Sequence, residues 1–265
     1  MSVKIKVLAI IQARTGSTRL PGKVLNEIEG KTVLEHVVQR VRAARLVNEV
    51  IVATTINKDD LAIVKLCAEL GVRIFCGSEN DVLDRFYQAA RLYEAEHIVR
   101  ITSDCPLMDP AIIDQVIALH LQDKADYTSN VLKETFPDGE DIEVMTFTAL
   151  KKAWLNARLT SEREHVTPFI INNPKLFKYA VLEYKENLSA KRWTLDNQED
   201  LLFIKEVYRR LYRSDKLFGM EEVMKVLKAE PELEKLNHHI ARNEGLAKSL
   251  REDRMFAATE ENING

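Results

Sequence analysis

Cysteine is scarce. Cys67, Cys76 and Cys105 are odd in number and lack C-x-x-C spacing, so neither a disulfide framework nor a zinc site is indicated. Cys67, in Ile-Val-Lys-Leu-Cys-Ala, reads as a core residue of a helix, and nothing around Cys105 suggests an activated nucleophile. No apolar stretch approaches the length needed to span a bilayer, and Met-Ser-Val-Lys-Ile-Lys leads into a strand pattern without a cleavage site. A cytoplasmic location without a membrane partner is therefore expected. Charge of one sign is not in excess either: 38 Lys and Arg against 41 Asp and Glu leave a formal charge of -3, which gives no whole-chain attraction to nucleic acid. Internal repeats and low-complexity segments are missing. What remains, 46% hydrophobic and 30% charged over 265 residues, is an ordinary soluble composition able to bury a substantial core.

One local absence is informative: no Asp or Glu precedes Glu27. Within that cationic opening, the apolar run Val7–Ile11 is followed by Gln-Ala-Arg-Thr-Gly-Ser-Thr-Arg-Leu-Pro-Gly-Lys, a loop at a strand's carboxyl end. Backbone N–H groups and hydroxyls around Gly16, Ser17 and Thr18 can wrap an anion, while Arg14, Arg19 and Lys23 neutralise it. The loop matches neither G-x-x-x-x-G-K-[ST] nor G-x-G-x-x-G, which argues against a P-loop NTPase and a dinucleotide fold. It also reads as a plain surface turn with scattered positive charge.

From residue 5 to about 120, strand and helix patterns alternate. Thr32-x-x-Glu35 is a capping box ahead of Val33, Leu34, Val37, Val38 and Val41 at helical spacing. Strands are expected at 49–53, 72–75 and 97–102. Helices are expected at 59–70, closed by Gly71, at 82–94, and after the Asp109-Pro110 N-cap. Repeated strand–helix–strand units imply an α/β protein, a three-layer α/β/α sandwich on a mostly parallel sheet. Between 125 and about 190 the rhythm changes: a Phe-Pro-Asp-Gly-Glu-Asp loop, a strand at 142–147 and two helices, the second capped by Ser161-x-x-Glu164, suggest a lobe over the working edge of the sheet. Arg192–Leu195 reads as a strand and 199–211 as a helix, ending a domain at 213. The extension 214–265 reads as charged helix without site chemistry, either solvated or packed, with a frayed end.

Asp104 and Asp196 each follow a strand pattern and precede a helix. Carboxyl ends of parallel strands share one edge, so the two can converge beside Arg14 and Lys23. Two carboxylates and phosphate oxygens make a Mg²⁺ shell completed by water. Each Asp also has a local explanation, Asp196 as a helix cap through Glu199 and Asp104 as a turn former before Pro106.

Six segments in order, Ile11-Gln-Ala-Arg-Thr-Gly-Ser-Thr-Arg-Leu-Pro-Gly-Lys23, Gly77-Ser-Glu-Asn-Asp-Val-Leu-Asp-Arg85, Arg100-Ile-Thr-Ser-Asp-Cys-Pro-Leu107, Pro137-Asp-Gly-Glu-Asp-Ile-Glu-Val144, Glu164-His-Val-Thr-Pro168 and Arg192-Trp-Thr-Leu-Asp196, span most of the chain. Together they resemble the motifs of the spore coat polysaccharide biosynthesis protein SpsF family, itself similar to the acylneuraminate and 3-deoxy-manno-octulosonate cytidylyltransferases. The resemblance implies a glycosyltransferase-A-like nucleotidyltransferase that transfers CMP from CTP to an acidic sugar, releasing pyrophosphate, in cell-surface or spore-coat polysaccharide synthesis. It implies Arg14 and Lys23 as catalytic triphosphate-binding residues, within a nucleotide-binding loop from Ala13 through Thr15, Gly16, Ser17, Thr18 and Arg19. Asp104 and Asp196 are implied as catalytic magnesium ligands. Asp81, Arg85 and Arg100 are placed with the nucleotide, and relatives commonly form homodimers. Ser103, where the family carries Gly, is expected to crowd the metal loop, and Glu140 stands where an apolar residue is usual.

The acidic run Asp138, Glu140, Asp141 and Glu143 reads as a receiver of sugar hydroxyls or as a solvated turn. His165 reads as a sugar contact, a proton acceptor or an ordinary half-buried residue. Two other functions stay open. One is a sugar-phosphate nucleotidyltransferase or a glycosyltransferase with another nucleotide, although the Gly-Gly-x-Ser-x-Arg-Met loop is absent. The other is a non-catalytic nucleotide-binding relative, against which the joint presence of Arg14, Lys23, Asp104 and Asp196 speaks.

Overall fold

The computed structural model describes residues 7–242 together with 249, 250 and 253. The first half alternates as the hydrophobic pattern requires: β1 (Val7–Gln12), a short hairpin of β2 (Glu27–Ile28) and β3 (Lys31–Thr32), α1 (Val33–Ala43), β4 (Glu49–Thr55), α2 (Leu61–Glu69), β5 (Arg73–Gly77), α3 (Val82–Leu92), β6 (His97–Thr102) and α4 (Pro110–Asp123). The rest comprises β7 (Tyr127–Ser129), β8 (Glu143–Thr146), α5 (Phe147–Asn156), α6 (Thr160–His165), α7 (Pro168–Ile171), β9 (Tyr179–Val181), α8 (Gln198–Leu211) and α9 (Met220–Ala229).

The seven-stranded sheet has the order β5-β4-β1-β6-β8-β7-β9, and every strand runs parallel except β8. Its two faces are covered because successive strand side chains point oppositely. Val7, Ala9 and Ile11 of β1 enter a core shared with α1, α2, α4, α8 and α9, while Leu8 and Ile10 enter one shared with α3, α5 and α7. This is the expected three-layer sandwich. The register Gln12↔Thr102 brings the carboxyl ends of β1 and β6 level, and the Ser103 amide continues the ladder to Gln12 O at 3.1 Å. Ser103 is buried there and lines the cleft beside Asp104.

Several boundaries differ from expectation. The 59–70 helix opens as a 3₁₀ turn, Lys58–Asp60, because Asp60 is drawn inward by hydroxyls rather than capping. Three short helices occupy the stretch where two were expected. The α6 cap is not Ser161: Glu162 Oε2 accepts the amides of Arg158 and Leu159 at 2.7 and 3.0 Å, while Ser161 is buried. Residues 192–195 form no strand. Arg192 makes one isolated parallel bridge to Asp138, and Leu195 N donates to Asp104 O at 2.8 Å, so the segment is pinned across two loops rather than joining the sheet. Gly139, at φ +109°, lets the chain pass Trp193 so closely that a Cβ would lie 2.7 Å from backbone atoms.

The extension is partly packed rather than solvated. Met220, Val223 and Leu227 of α9 are buried, and a 3₁₀ turn, Pro231–Leu236, follows. The expected frayed end lies outside the described residues. Among the described residues no helix is long and apolar enough to cross a membrane.

Candidate active site

A cleft of about 500 Å³ opens where β1 and β6 end. One wall is the loop after β1, which folds on its own hydrogen bonds: the amides of Ser17 and Gly22 both donate to Thr15 O, at 2.8 and 2.9 Å. Thr15 itself turns away from the cleft. Its amide and hydroxyl each donate to Asp60 Oδ1 at 2.7 Å, and Thr55 Oγ1 binds the other oxygen. Burial opposes the Asp60 charge, but these donors outweigh it and hold the carboxyl below its ordinary range. Ala13, Arg14, Gly16, Ser17, Thr18, Arg19 and Lys23 line the cleft. Arg14 is only loosely tethered, 41% exposed and 3.8 Å from Glu79.

The floor joins the two remote carboxylates. Lys23 Nζ donates to Asp104 Oδ2 at 2.7 Å and to Asp196 Oδ1 at 2.8 Å. Burial alone would lower the Lys23 pKa, yet the two carboxylates raise it. Burial likewise disfavours the Asp104 charge, but the Lys23 ammonium overrides it and holds the carboxyl at about 2. Asp196 also pairs with Arg19 at 2.8 Å and with Arg192 at 3.2 Å.

Behind Asp196 stands a network absent from the sequence reading. Asp200, fully buried, takes Arg192 Nε and Nη2, the amides of Asp196 and Asn197, and Asn237 Nδ2, all at 2.9 Å. Asp200, not Glu199, supplies the α8 capping carboxylate. Arg192 reaches on to Asp138 Oδ2 at 3.1 Å. Buriedness at Arg192, like that of Asp60, leaves no mark in a local pattern.

The remaining expected residues divide. Arg85 and Arg100 line the cleft. Arg85 is buried, donates to Ser78 O at 2.9 Å, and is pushed down to about 10 by burial and then by Arg14. Arg100 is held by Glu143, which also accepts the Tyr127 hydroxyl. Glu143 therefore supports Arg100 and is not among the residues that line the cleft. Asp81 caps α3 through the Asp84 amide at 2.8 Å and pairs with Arg163, so it is not on the cleft wall. Glu140 points the other way: fully buried, it accepts the Asp109 amide at 2.8 Å, and burial raises its pKa well above normal. The turn at Gly139 sends Glu140 into the core and leaves Asp138 and Asp141 on the cleft.

Burial raises the Asp138 pKa despite Arg242 and Arg192, and lifts Asp141 to about 7 despite Arg242. His165 lines the cleft with Nε2 3.0 Å from Ser249 Oγ, and burial lowers its pKa, leaving a neutral ring at pH 7. Cys105, buried and raised well above its normal pKa chiefly by burial, is no nucleophile. The extension, read above as free of site chemistry, contributes here: Arg242 Nη2 bonds Asp141 Oδ1 at 2.7 Å and Ser249 lines the cleft.

A metal would find two hard oxygen donors in Asp104 and Asp196, which already stabilise one cation, the Lys23 ammonium, between them. Among the described residues no group of three or more His, Cys, Asp or Glu could hold an ion alone. The donor set thus suits Mg²⁺ carried in with phosphate oxygens and water.

The family model described as cytidylyltransferase matches residues 8–233. The chain is 34% identical over 210 residues to the spore coat polysaccharide biosynthesis protein SpsF of Bacillus subtilis, covering 77% of this chain and 87% of that one. It is 42% identical over 116 residues to a 3-deoxy-manno-octulosonate cytidylyltransferase of Geobacter sulfurreducens, 43% of this chain and 45% of that one. A solved cytidylyltransferase of Leptospira borgpetersenii superposes with a TM-score of 0.83 at 34% identity, over 87% of this chain and 97% of that one.

Proposed function

Since the chain belongs to the cytidylyltransferase family, CTP-dependent nucleotidyltransferases, we propose that it transfers CMP from CTP to a hydroxyl of an acidic sugar, releasing pyrophosphate, to activate that sugar for polysaccharide assembly. The observation carrying this reading is the meeting of Asp104, Asp196 and Lys23 on the floor of a cleft walled by the Arg14–Arg19 loop.

Arg14, Arg19 and Lys23 supply positive charge for the triphosphate, and the loop's amides supply oriented donors. Asp104 and Asp196 would hold Mg²⁺, which when bound neutralises phosphate charge and orients the α-phosphorus. In the transfer, the sugar oxygen forms a bond to that phosphorus and the bond to the bridging oxygen breaks. Lys23 and Arg14 stabilise charge on the departing pyrophosphate. The proton of the attacking hydroxyl goes to a cleft carboxylate, and Asp141, at about 7, is matched to accept it at neutral pH.

The test is pyrophosphate release from CTP, Mg²⁺ and a panel of ulosonic and nonulosonic acids. Turnover with at least one acid is expected, abolished by Asp104→Asn or Asp196→Asn. Folded protein that binds CTP yet releases no pyrophosphate with any acid sinks the reading, and stronger thermal stabilisation by UTP, GTP or ATP than by CTP moves it to another nucleotide.

A further inference from the structure

Beyond residue 233, where the family match ends, described residues of the chain return to the cleft. Ala241 O accepts Arg192 Nη1 at 3.3 Å. The Arg242 side chain, 15% exposed, donates to Asp141 at 2.7 Å and lies 3.8 Å from Asp138. Ser249 is buried against the cleft, its hydroxyl donating to Glu164 Oε2 at 2.7 Å and meeting His165 Nε2 at 3.0 Å. Asp253 Oδ1 accepts the Ser161 amide in the first turn of α6 at 3.1 Å.

We infer that Arg242 and Ser249 belong to the acceptor-side wall of the cleft, Arg242 positioning Asp141 and Ser249 positioning Glu164 and His165 for a polyhydroxylated acceptor, so that acceptor selectivity is set partly outside the cytidylyltransferase region. The inference rests on the function proposed above. Arg242 engages Asp141 Oδ1 and so fixes the orientation of a carboxylate that lines the cleft. Ser249 donates a hydrogen bond to Glu164 and meets His165, so it fixes two side chains that line the cleft. A guanidinium and a serine folded over the acceptor end bear on Asp138, Asp141, Glu164 and His165 rather than on the triphosphate loop. Their loss should change acceptor handling and spare CTP.

In the full-length protein, Arg242→Ala should raise KM for the acceptor at least about tenfold, the value of a charge-assisted hydrogen bond, and leave KM for CTP within about twofold. Arg242→Lys should recover part of the loss, and Ser249→Ala should raise acceptor KM about fivefold. Independently of turnover, Asp253→Ala should speed exchange of the Ser161 amide at least about tenfold by NMR, since Asp253 is its acceptor. Unchanged acceptor KM in both Arg242→Ala and Ser249→Ala, or unchanged Ser161 exchange in Asp253→Ala, overturns the inference. If unmodified protein binds CTP but releases no pyrophosphate with any acceptor, it is the proposed function that falls. The Ser161 exchange rate then decides alone whether the extension is docked: fast exchange in Asp253→Ala supports it and slow exchange refutes it.

Discussion

Replacing Asp200 with alanine tests whether the cleft carboxylate Asp196 is held by the network behind it. The substitution removes a fully buried carboxylate serving two nitrogens of Arg192, two backbone amides and Asn237. Summing those bonds would overcount, because they share one group and are not independent. The governing cost is a buried guanidinium that loses two of its five hydrogen bonds among the described residues, about 3–5 kcal/mol for a broken buried pair. At about 2–4 °C per kcal/mol for a chain near this size, melting should fall by roughly 6–20 °C. Urea unfolding gives the free energy, and an unchanged slope confirms that the same surface is exposed. Asp200→Asn keeps the volume but turns a donor toward donors, so it should recover only part of the loss. Turnover should fall at least about tenfold in both, since Arg192 and the Asp196 amide lose their common anchor. An Asp200→Ala protein within about 1 kcal/mol of the parent in stability, with normal turnover, would refute the account of how Asp196 is placed.

Asp60→Ala should raise KM for CTP about tenfold by releasing Thr15, with little change in acceptor KM, as steady-state kinetics would reveal. Lys23→Met should lower kcat/KM for CTP on the order of 100-fold while circular dichroism stays unchanged; a collapsed spectrum would mean the residue serves the fold instead. The Asp104 carboxyl, at about 2 against about 3.9 unfolded, contributes stability that is fully present above pH ~4 and is lost as pH falls toward 2. That limb amounts to about 2 kcal/mol, and it should be largely absent from Lys23→Met in urea titrations between pH 5 and 2.5.

Much of the fold was legible because its signals are local. The continuous apolar runs of β1 and β4, the Thr32 cap accepting the Glu35 amide at 3.2 Å and the Asp109-Pro110 start of α4 each depend on a few consecutive residues. Where the partner is remote, the reading failed: Ser161-x-x-Glu164 looks like a cap, but the Ser161 amide is satisfied by Asp253. Of the acidic run, pattern could not distinguish Glu140 from Asp141, because one left-handed glycine decides which enters the core.

The sequence by itself determined the alternating α/β order, the cationic loop after β1 and the placing of Asp104 on the edge where parallel strands end. Only the tertiary structure decided that Lys23 bridges Asp104 to Asp196, that Asp60 and Asp200 stand behind the cleft, and that Arg242 returns from the extension to Asp141. The physical reason is range: helix and strand periodicity is set by neighbours along the chain, whereas a buried charge is stabilised only by partners that folding brings from tens or hundreds of residues away.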